Sequence, residues 1–189
     1  MFLCLFLILQ NKSIAGSKDM SLAKLQEKFK DEHAIYLSEK EHVFIKTSGN
    51  EFRVYSDVSW EILYLTDKGR AYGDQNIQFS KFSEIQNINA YSCIPKNGDP
   101  KKLKKIKVTD FKTEDVYNGS YFFHDNKQIA FKFQGNEPGT KINLSYREEI
   151  KKPQFIGSTF LINHLPTLQS EYSISFPSNV DVNYRLFKR

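Results

Sequence analysis

Residues 52–64 read FRVYSDVSWEILY, and this stretch decides the fold class. Apolar side chains occupy its even positions except Ser56, and polar side chains fill most of its odd positions. Successive side chains of a β-strand point to opposite faces, so the pattern predicts one long strand, or two strands with a bend near Ser56. The turn sequence Asp67-Lys68-Gly69 ends it.

The same alternation returns in five later segments, which begin at Ile106, Ile129, Ile142, Tyr172 and Val180. Turn sequences such as Asn97-Gly98-Asp99-Pro100 and Pro138-Gly139 separate them. Strands with one apolar face form antiparallel sheets, and two such sheets packed together make a sandwich. We therefore predict an all-β fold, mostly an antiparallel β-sandwich. The residues expected in its core are Trp60, Phe131, Phe133, Ile142, Leu144 and Ile174.

One short N-terminal helix is predicted before the strands. Leu22, Leu25 and Phe29 fall on a single face at helical spacing, which indicates a helix over Ser21–Lys30. No linker, low-complexity tract or internal repeat divides the chain of 189 residues. We therefore expect a single domain over residues 17–189.

The N-terminus contains an unbroken apolar run, FLCLFLIL, at residues 2–9. It is too short to span a bilayer, but its length suits the apolar region of a signal peptide. We expect a signal peptide over residues 1–16, cleaved after Ala15 or Gly16, and an exported protein, periplasmic or extracellular, without a transmembrane span. The alternative is a buried N-terminal strand or helix.

Positive charge is concentrated in one run, which includes Lys101, Lys102, Lys104, Lys105 and Lys107, in a chain of net charge +5. A nucleic-acid-binding protein would concentrate its excess positive charge on one stripe of its surface, whereas the only dense run here follows a turn, and we expect no nucleic-acid partner. The run follows a turn, so we expect a solvated loop that leads into a strand. An anionic partner, such as a phosphorylated glycan or a membrane surface, is the alternative.

Reactive residues are few and scattered. Cys4 lies in the predicted signal peptide, which leaves Cys93 as a lone thiol near the end of a strand, where we expect it to be buried and unreactive. None of the four histidines has the spacing of zinc ligands, and His124-Asp125 is typical of a surface turn. We therefore expect no catalytic, cofactor-binding or metal-binding residue and no enzyme activity.

A set of residues in fixed order gives the chain a family resemblance from about His33 to its end. The set comprises Ala90, Pro95, Gly98, Asp110-Phe111, Ser120-Tyr121-Phe122, Phe131-Lys132-Phe133, Pro138-Gly139, Tyr146, Pro153, Pro166 and Phe176-Pro177. It resembles a bacterial family of unknown function that lies between a signal peptide and a transglutaminase-like, papain-fold domain in long envelope proteins.

The resemblance implies a β-sandwich accessory domain whose catalytic neighbour, the transglutaminase-like domain, lies downstream and is absent from this chain. Our main hypothesis is a non-catalytic accessory or docking domain of an exported protein, which contacts that neighbour near Val180–Leu186. The alternative is a free-standing carbohydrate- or peptide-binding module, since exposed aromatic rings often bind such ligands. A hydrolase that uses Cys93 or His124 is the third hypothesis.

Overall fold

The computed structural model describes residues 2–3, 20–49, 51–116, 126–151 and 164–183. In chain order, its elements are β1 (Phe2–Leu3), α1 (Leu22–Lys28), β2 (Ala34–Ser48), β3 (Glu51–Tyr64), a 3₁₀ helix (Asp67–Gly73), β4 (Asp74–Ser80), β5 (Ser83–Lys96), β6 (Asp99–Lys107), β7 (Lys112–Asp115), β8 (Asn126–Lys132), β9 (Lys141–Ile150) and β10 (Ser170–Pro177). The prediction of an all-β fold is confirmed.

Two sheets contain these strands. The large sheet has the order β1-β10-β2-β3-β9-β5-β6, and the small sheet has the order β4-β8-β7. Neighbouring strands are antiparallel except β10 and β2, which run parallel and pair from Ser170↔Glu39 to Ser175↔Phe44. The parallel pair was not predicted, because alternation within a strand does not say in which direction its neighbour runs.

Strand β3 lies inside the large sheet and follows the predicted stretch closely. It pairs with β2 from Ala34↔Tyr64 to Ser48↔Glu51, and with β9 from Leu63↔Lys141 to Val54↔Ile150. It continues through Ser56, so the alternative of two strands with a bend is wrong. Its even-numbered residues lie on the face of the large sheet that packs, over part of its area, against the small sheet, and we call this side the inner face.

The main core lies between the two sheets. It contains Ile62, Tyr64, Ile142 and Leu144 from the large sheet and Ile77 and Phe131 from the small sheet, with Phe133 just after β8. Four of the predicted core residues are therefore buried, namely Phe131, Phe133, Ile142 and Leu144. Trp60 is only half-buried. It packs at the margin of this core, with its ring 5.8 Å from that of Phe133 and 6.2 Å from that of Tyr36.

Helix α1 covers one end of the opposite face, which we call the outer face. Leu25 is buried against Ile35, Leu63, Leu65 and Leu168. The helix ends at Lys28, earlier than predicted, because Phe29 leaves the helical conformation while its N–H still bonds to the carbonyl of Leu25. No helix among the described residues is long and apolar enough to cross a membrane.

The inner face has another apolar cluster besides the main core, in a part that the small sheet does not cover. We call it the rim cluster, and its buried members are Val43, Ile45, Val54 and Ile150. Ile174, which we expected to be buried, is only half-buried here, because β10 lies near the margin of the large sheet and its buried residue is Ser173. Val180 and Val182 also pack on this cluster, but residues 180–183 are not a strand, contrary to the prediction.

The first lysines of the run, Lys101, Lys102 and Lys104, lie in a strand rather than in the expected loop, and this strand continues into the predicted one at Lys105–Lys107. Asn97 and Gly98 both have positive φ angles, +53° and +74°, the geometry of a two-residue hairpin turn. The hairpin pairs β6 with β5 from Lys96↔Asp99 to Tyr91↔Lys107. Strand β6 is the edge of the large sheet, where lysines discourage edge-to-edge association.

Most of the predicted signal peptide lies outside the described residues, and this part includes Cys4, Ala15 and Gly16. The exception is β1, which pairs with β10 through Phe2↔Pro177 and Leu3↔Phe176.

A close backbone approach at Gly69 gives a test of this packing. A Cβ added at Gly69 would lie 2.7 Å from the carbonyl oxygen of His33 and 2.8 Å from the Cβ of Tyr64. That carbonyl also accepts hydrogen bonds from the N–H groups of Leu65 and Thr66, so it cannot retreat without breaking them. Gly69→Ala is therefore expected to lower the free energy of unfolding by about 1–3 kcal/mol in urea denaturation.

The matched control is Lys68→Ala in the same 3₁₀ helix. Lys68 is exposed, so its truncation should change the free energy of unfolding by less than about 0.5 kcal/mol. A Gly69→Ala variant as stable as the unmodified chain would show that the 3₁₀ helix does not pack as described.

Candidate functional site

An open groove of about 1050 Å³ lies beside the small sheet. Its walls come from residues 70–76, 106–112 and 128–136, three parts of the chain that are far apart in sequence. We call it the polar groove. Strand β6 leads into one wall. The surface of the small sheet that faces away from the large sheet forms another wall, and the segment after β8 closes one end.

Cationic side chains outnumber acidic ones in the polar groove. The cationic residues are Arg70, Lys107, Lys112 and Lys132, and the acidic residues are Asp74 and Asp110. Lys132 is paired with Asp74, with 2.9 Å between Nζ and Oδ1. Arg70, Lys107 and Lys112 are exposed and form no ion pair within the part of the chain that the structure describes. The lining of the groove therefore carries an excess of positive charge.

Amide side chains form a second group in the polar groove: Gln75, Asn76, Gln128, Gln134 and Asn136. The Nε2 atom of Gln75 donates to the carbonyl of Tyr72, and that of Gln128 donates to Glu114, so the oxygen atom of each amide is left to accept. Asn76, Gln134 and Asn136 are exposed. Each amide can both donate and accept hydrogen bonds.

A different cluster lies on the outer face, at the end that α1 leaves uncovered. The Arg147 guanidinium forms two hydrogen bonds to the Asp57 carboxylate, of 2.6 and 2.8 Å. The rings of Phe44 and Tyr55 stack at 5.1 Å, and Arg147 and Lys46 lie 5.0 and 5.2 Å from the centre of the Phe44 ring. Because these cationic side chains lie over the half-buried rings, the rings do not form an exposed aromatic surface that could bind a ligand.

His42 joins the two parallel strands. Its Nδ1 atom lies 2.7 Å from the hydroxyl of Ser173 and its Nε2 atom 2.8 Å from that of Ser175. A histidine that activates a nucleophilic serine needs its second nitrogen for an orienting group, usually a carboxylate. Here both nitrogens contact hydroxyls from one strand, and Ser173 is buried, so the arrangement holds β10 against β2.

Cys93 lies on β5 and is half-buried rather than buried as predicted. Its position is on the outer face, which the small sheet does not cover, opposite Lys105 on β6 and Lys141 on β9. No histidine occupies a paired position beside it. His124 and Asp125 lie outside the described residues. The part of the chain that the structure describes contains no group of three or more His, Cys, Asp or Glu residues that could hold a metal ion.

Two tyrosines on the inner face have strongly raised pKa values. Burial raises the pKa of Tyr64 to about 12, and the Asp74 carboxylate adds to this shift. Burial also raises the pKa of Tyr146 far above its usual range, and the carboxylates of Glu148 and Glu41 act in the same direction. Both phenols therefore stay protonated at neutral pH and cannot serve as bases.

Sequence reasoning missed both the polar groove and the outer-face cluster. The one signal for the groove was Lys107, the last residue of the lysine run, and the run indicated an anionic partner only as an alternative. The amide side chains gave no signal, because they are distributed over three segments that only the folded chain brings together.

Comparisons with known proteins find one family and solved structures that resemble parts of this chain. A family profile described as "Domain of Unknown Function with solved-structure structure (DUF3857)" matches residues 49–189. A structure described as a "putative protease" from Parabacteroides distasonis matches 77% of this chain, with a TM-score of 0.59 and 18% identity, and this chain spans 29% of that protein. A structure of yeast LTA4 hydrolase in complex with bestatin matches 61% of this chain, with a TM-score of 0.34 and 12% identity, and the match covers 14% of the hydrolase chain. No curated protein matches this sequence.

The surroundings of Cys93 lead to a mutational prediction. Cys93→Ser, and likewise His124→Ala, should leave the turnover of a longer protein that carries this chain within about twofold of the unmodified rate. The reason for Cys93 is that, among the described residues, no histidine occupies a paired position beside it to activate its thiol. Steady-state kinetics check this, and a loss of about a hundredfold, typical of a missing acid–base group, would identify a reaction in this domain.

Proposed function

This chain belongs to the DUF3857 family, and we propose that it is a non-catalytic accessory domain of a longer, exported protein. In this proposal the catalytic part is a transglutaminase-like, papain-fold domain, as the family resemblance implies, and the present domain docks against it. The observation that carries the proposal is an apolar surface at the rim cluster, which the small sheet leaves uncovered.

The first support is the place of this fold in a longer protein. The Parabacteroides structure contains the fold over 77% of the present chain, yet that match is only 29% of its own length. The fold there is one part of a larger protein, as expected of an accessory domain. A part of this kind usually meets its neighbour through an interface of about 600–1,500 Å².

The second support is the composition of the rim surface. Tyr172, Phe176, Val180 and Val182 pack on the rim cluster but are only partly buried. Phe52 lies two residues before Val54 on the same face of β3 and is 44% exposed. An apolar surface of this kind supports a contact with another part of a longer protein.

The position of this surface modifies the docking prediction. We expected contact near Val180–Leu186, as part of a strand. Val180 and Val182 instead contact the rim cluster of their own domain, and residues 184–189 lie outside the described part. We therefore propose that the docking surface consists of Phe52 with the half-buried side chains of Phe176, Val180 and Val182.

Hydrogen exchange tests the docking directly. The present chain is compared with a longer protein in which a transglutaminase-like domain follows it. Docking covers the rim surface, so amides over residues 172–182 should exchange more slowly in the longer protein, while those of β7, at the far edge of the small sheet, should not change. Equal exchange over residues 172–182 in both proteins would contradict docking at this surface.

A pair of matched variants sharpens the test. Phe52 and Leu103 are the two exposed large apolar residues among those described, at 44% and 38%, and they lie on different faces of the large sheet. Phe52→Ser should reduce the added protection over residues 172–182, and Leu103→Ser should leave it intact. If both variants behave alike, the rim surface has no special part in docking.

A further inference from the structure

We propose that the polar groove binds an acidic glycan, an oligosaccharide whose sugars carry carboxylate or phosphate groups. This goes beyond the accessory role, because it gives the domain a ligand of its own. The groove and the rim surface share no residue, so one protein can use both at the same time.

The charge of the groove selects an anion. Lys107 approaches from the end of β6 and Lys112 from the start of β7. Asp74 is paired with Lys132, and among the described residues no ion pair joins Asp110, the other acidic residue of the groove, to either lysine. A charged hydrogen bond to an anionic oxygen is stronger than one between neutral groups. Anionic groups of a ligand would therefore lie between Lys107 and Lys112.

The amide side chains select a ligand rich in hydroxyl groups. A sugar hydroxyl both donates and accepts, and so does a primary amide. Asn76, Gln134 and Asn136 line the groove with such groups, and the oxygens of Gln75 and Gln128 are left to accept. An extended acidic peptide would instead need apolar or shaped pockets for alternate side chains, and most of the groove-lining side chains are polar.

The aromatic rings beneath the groove are too buried to contact a ligand, so a ligand must gain its affinity mainly from charge. Phe131 and Phe133 lie beneath the groove but are only 6% and 3% exposed. Neither ring can stack on a sugar, the contact through which aromatic side chains hold neutral glycans. Hydrogen bonds in an open, solvated groove add little net affinity each. A ligand there is held mainly by its charge, which favours an acidic glycan over a neutral one.

Isothermal titration calorimetry on the present chain tests this inference with four probes. They are hexagalacturonate (carboxylates), mannopentaose 6-phosphate (phosphate), the neutral maltohexaose, and hexaglutamate as the acidic peptide. At least one of the two acidic glycans should bind at least about tenfold more tightly than both maltohexaose and hexaglutamate, and the better of the two identifies the anionic group. Binding should weaken as salt is added.

Matched lysine variants locate the site. Lys107→Gln and Lys112→Gln each remove one exposed cation from the groove and should weaken acidic-glycan binding by about fivefold to tenfold. Lys104→Gln removes an exposed lysine of β6 that does not line the groove, and should change affinity by less than about twofold. Circular dichroism verifies that each variant is folded.

Several results would overturn the inference. Absence of binding by both acidic glycans removes the ligand class, and hexaglutamate binding as tightly as the better glycan indicates an acidic-peptide site instead. Equal losses in the Lys104, Lys107 and Lys112 variants indicate general attraction to a basic edge rather than a groove. These results are independent of the docking test, because the binding experiment uses this chain alone and leaves the rim surface unchanged.

Discussion

The structure depends on β3, because this strand is hydrogen-bonded on both sides and covered on both faces. Strands β2 and β9 flank it over most of its length. At its C-terminal end the small sheet covers the inner face and α1 covers the outer face, so the four consecutive residues Ile62, Leu63, Tyr64 and Leu65 are all buried. Burial of a side chain of this size contributes about 1.5–3 kcal/mol. The small sheet, and with it one wall of the polar groove, is attached to the large sheet through this packing.

The fold class was predictable because alternation is a local signal with a direct physical cause. It succeeded in β3, β8, β9 and β10, whose alternating apolar side chains share one face of their sheet. It failed at Val180 and Val182, whose spacing suits a strand but which pack on the rim cluster as irregular chain. It gave no signal at Lys101, Lys102 and Lys104, since lysine has a low preference for strands, while the tight Asn97-Gly98 turn and the pairing with β5 impose a strand.

The candidate groove was not predictable, because no single segment contains its pattern. Residues 70–76, 106–112 and 128–136 meet only after the small sheet has docked on the large one. Half-burial of Trp60, Ile174 and Cys93 was missed for a related reason. The alternation of a strand shows which face a side chain occupies, but how fully that face is covered depends on the extent of the opposite layer. Here the small sheet covers the main core and leaves the rim cluster and the outer face of β5 open.

The central claim is that the two sheets form one cooperative unit through the core that β3 organises. Trp60 is the only tryptophan of the chain, and its ring lies on β3 beside Phe133, 5.8 Å away, where the sheets meet. Its fluorescence therefore reports on the contact between the sheets, whereas far-ultraviolet circular dichroism reports on the strands of both. In urea the account predicts that the two signals change together in a single transition. A fluorescence transition at clearly lower urea, with the circular dichroism still native, would show that the small sheet undocks alone and would contradict the account.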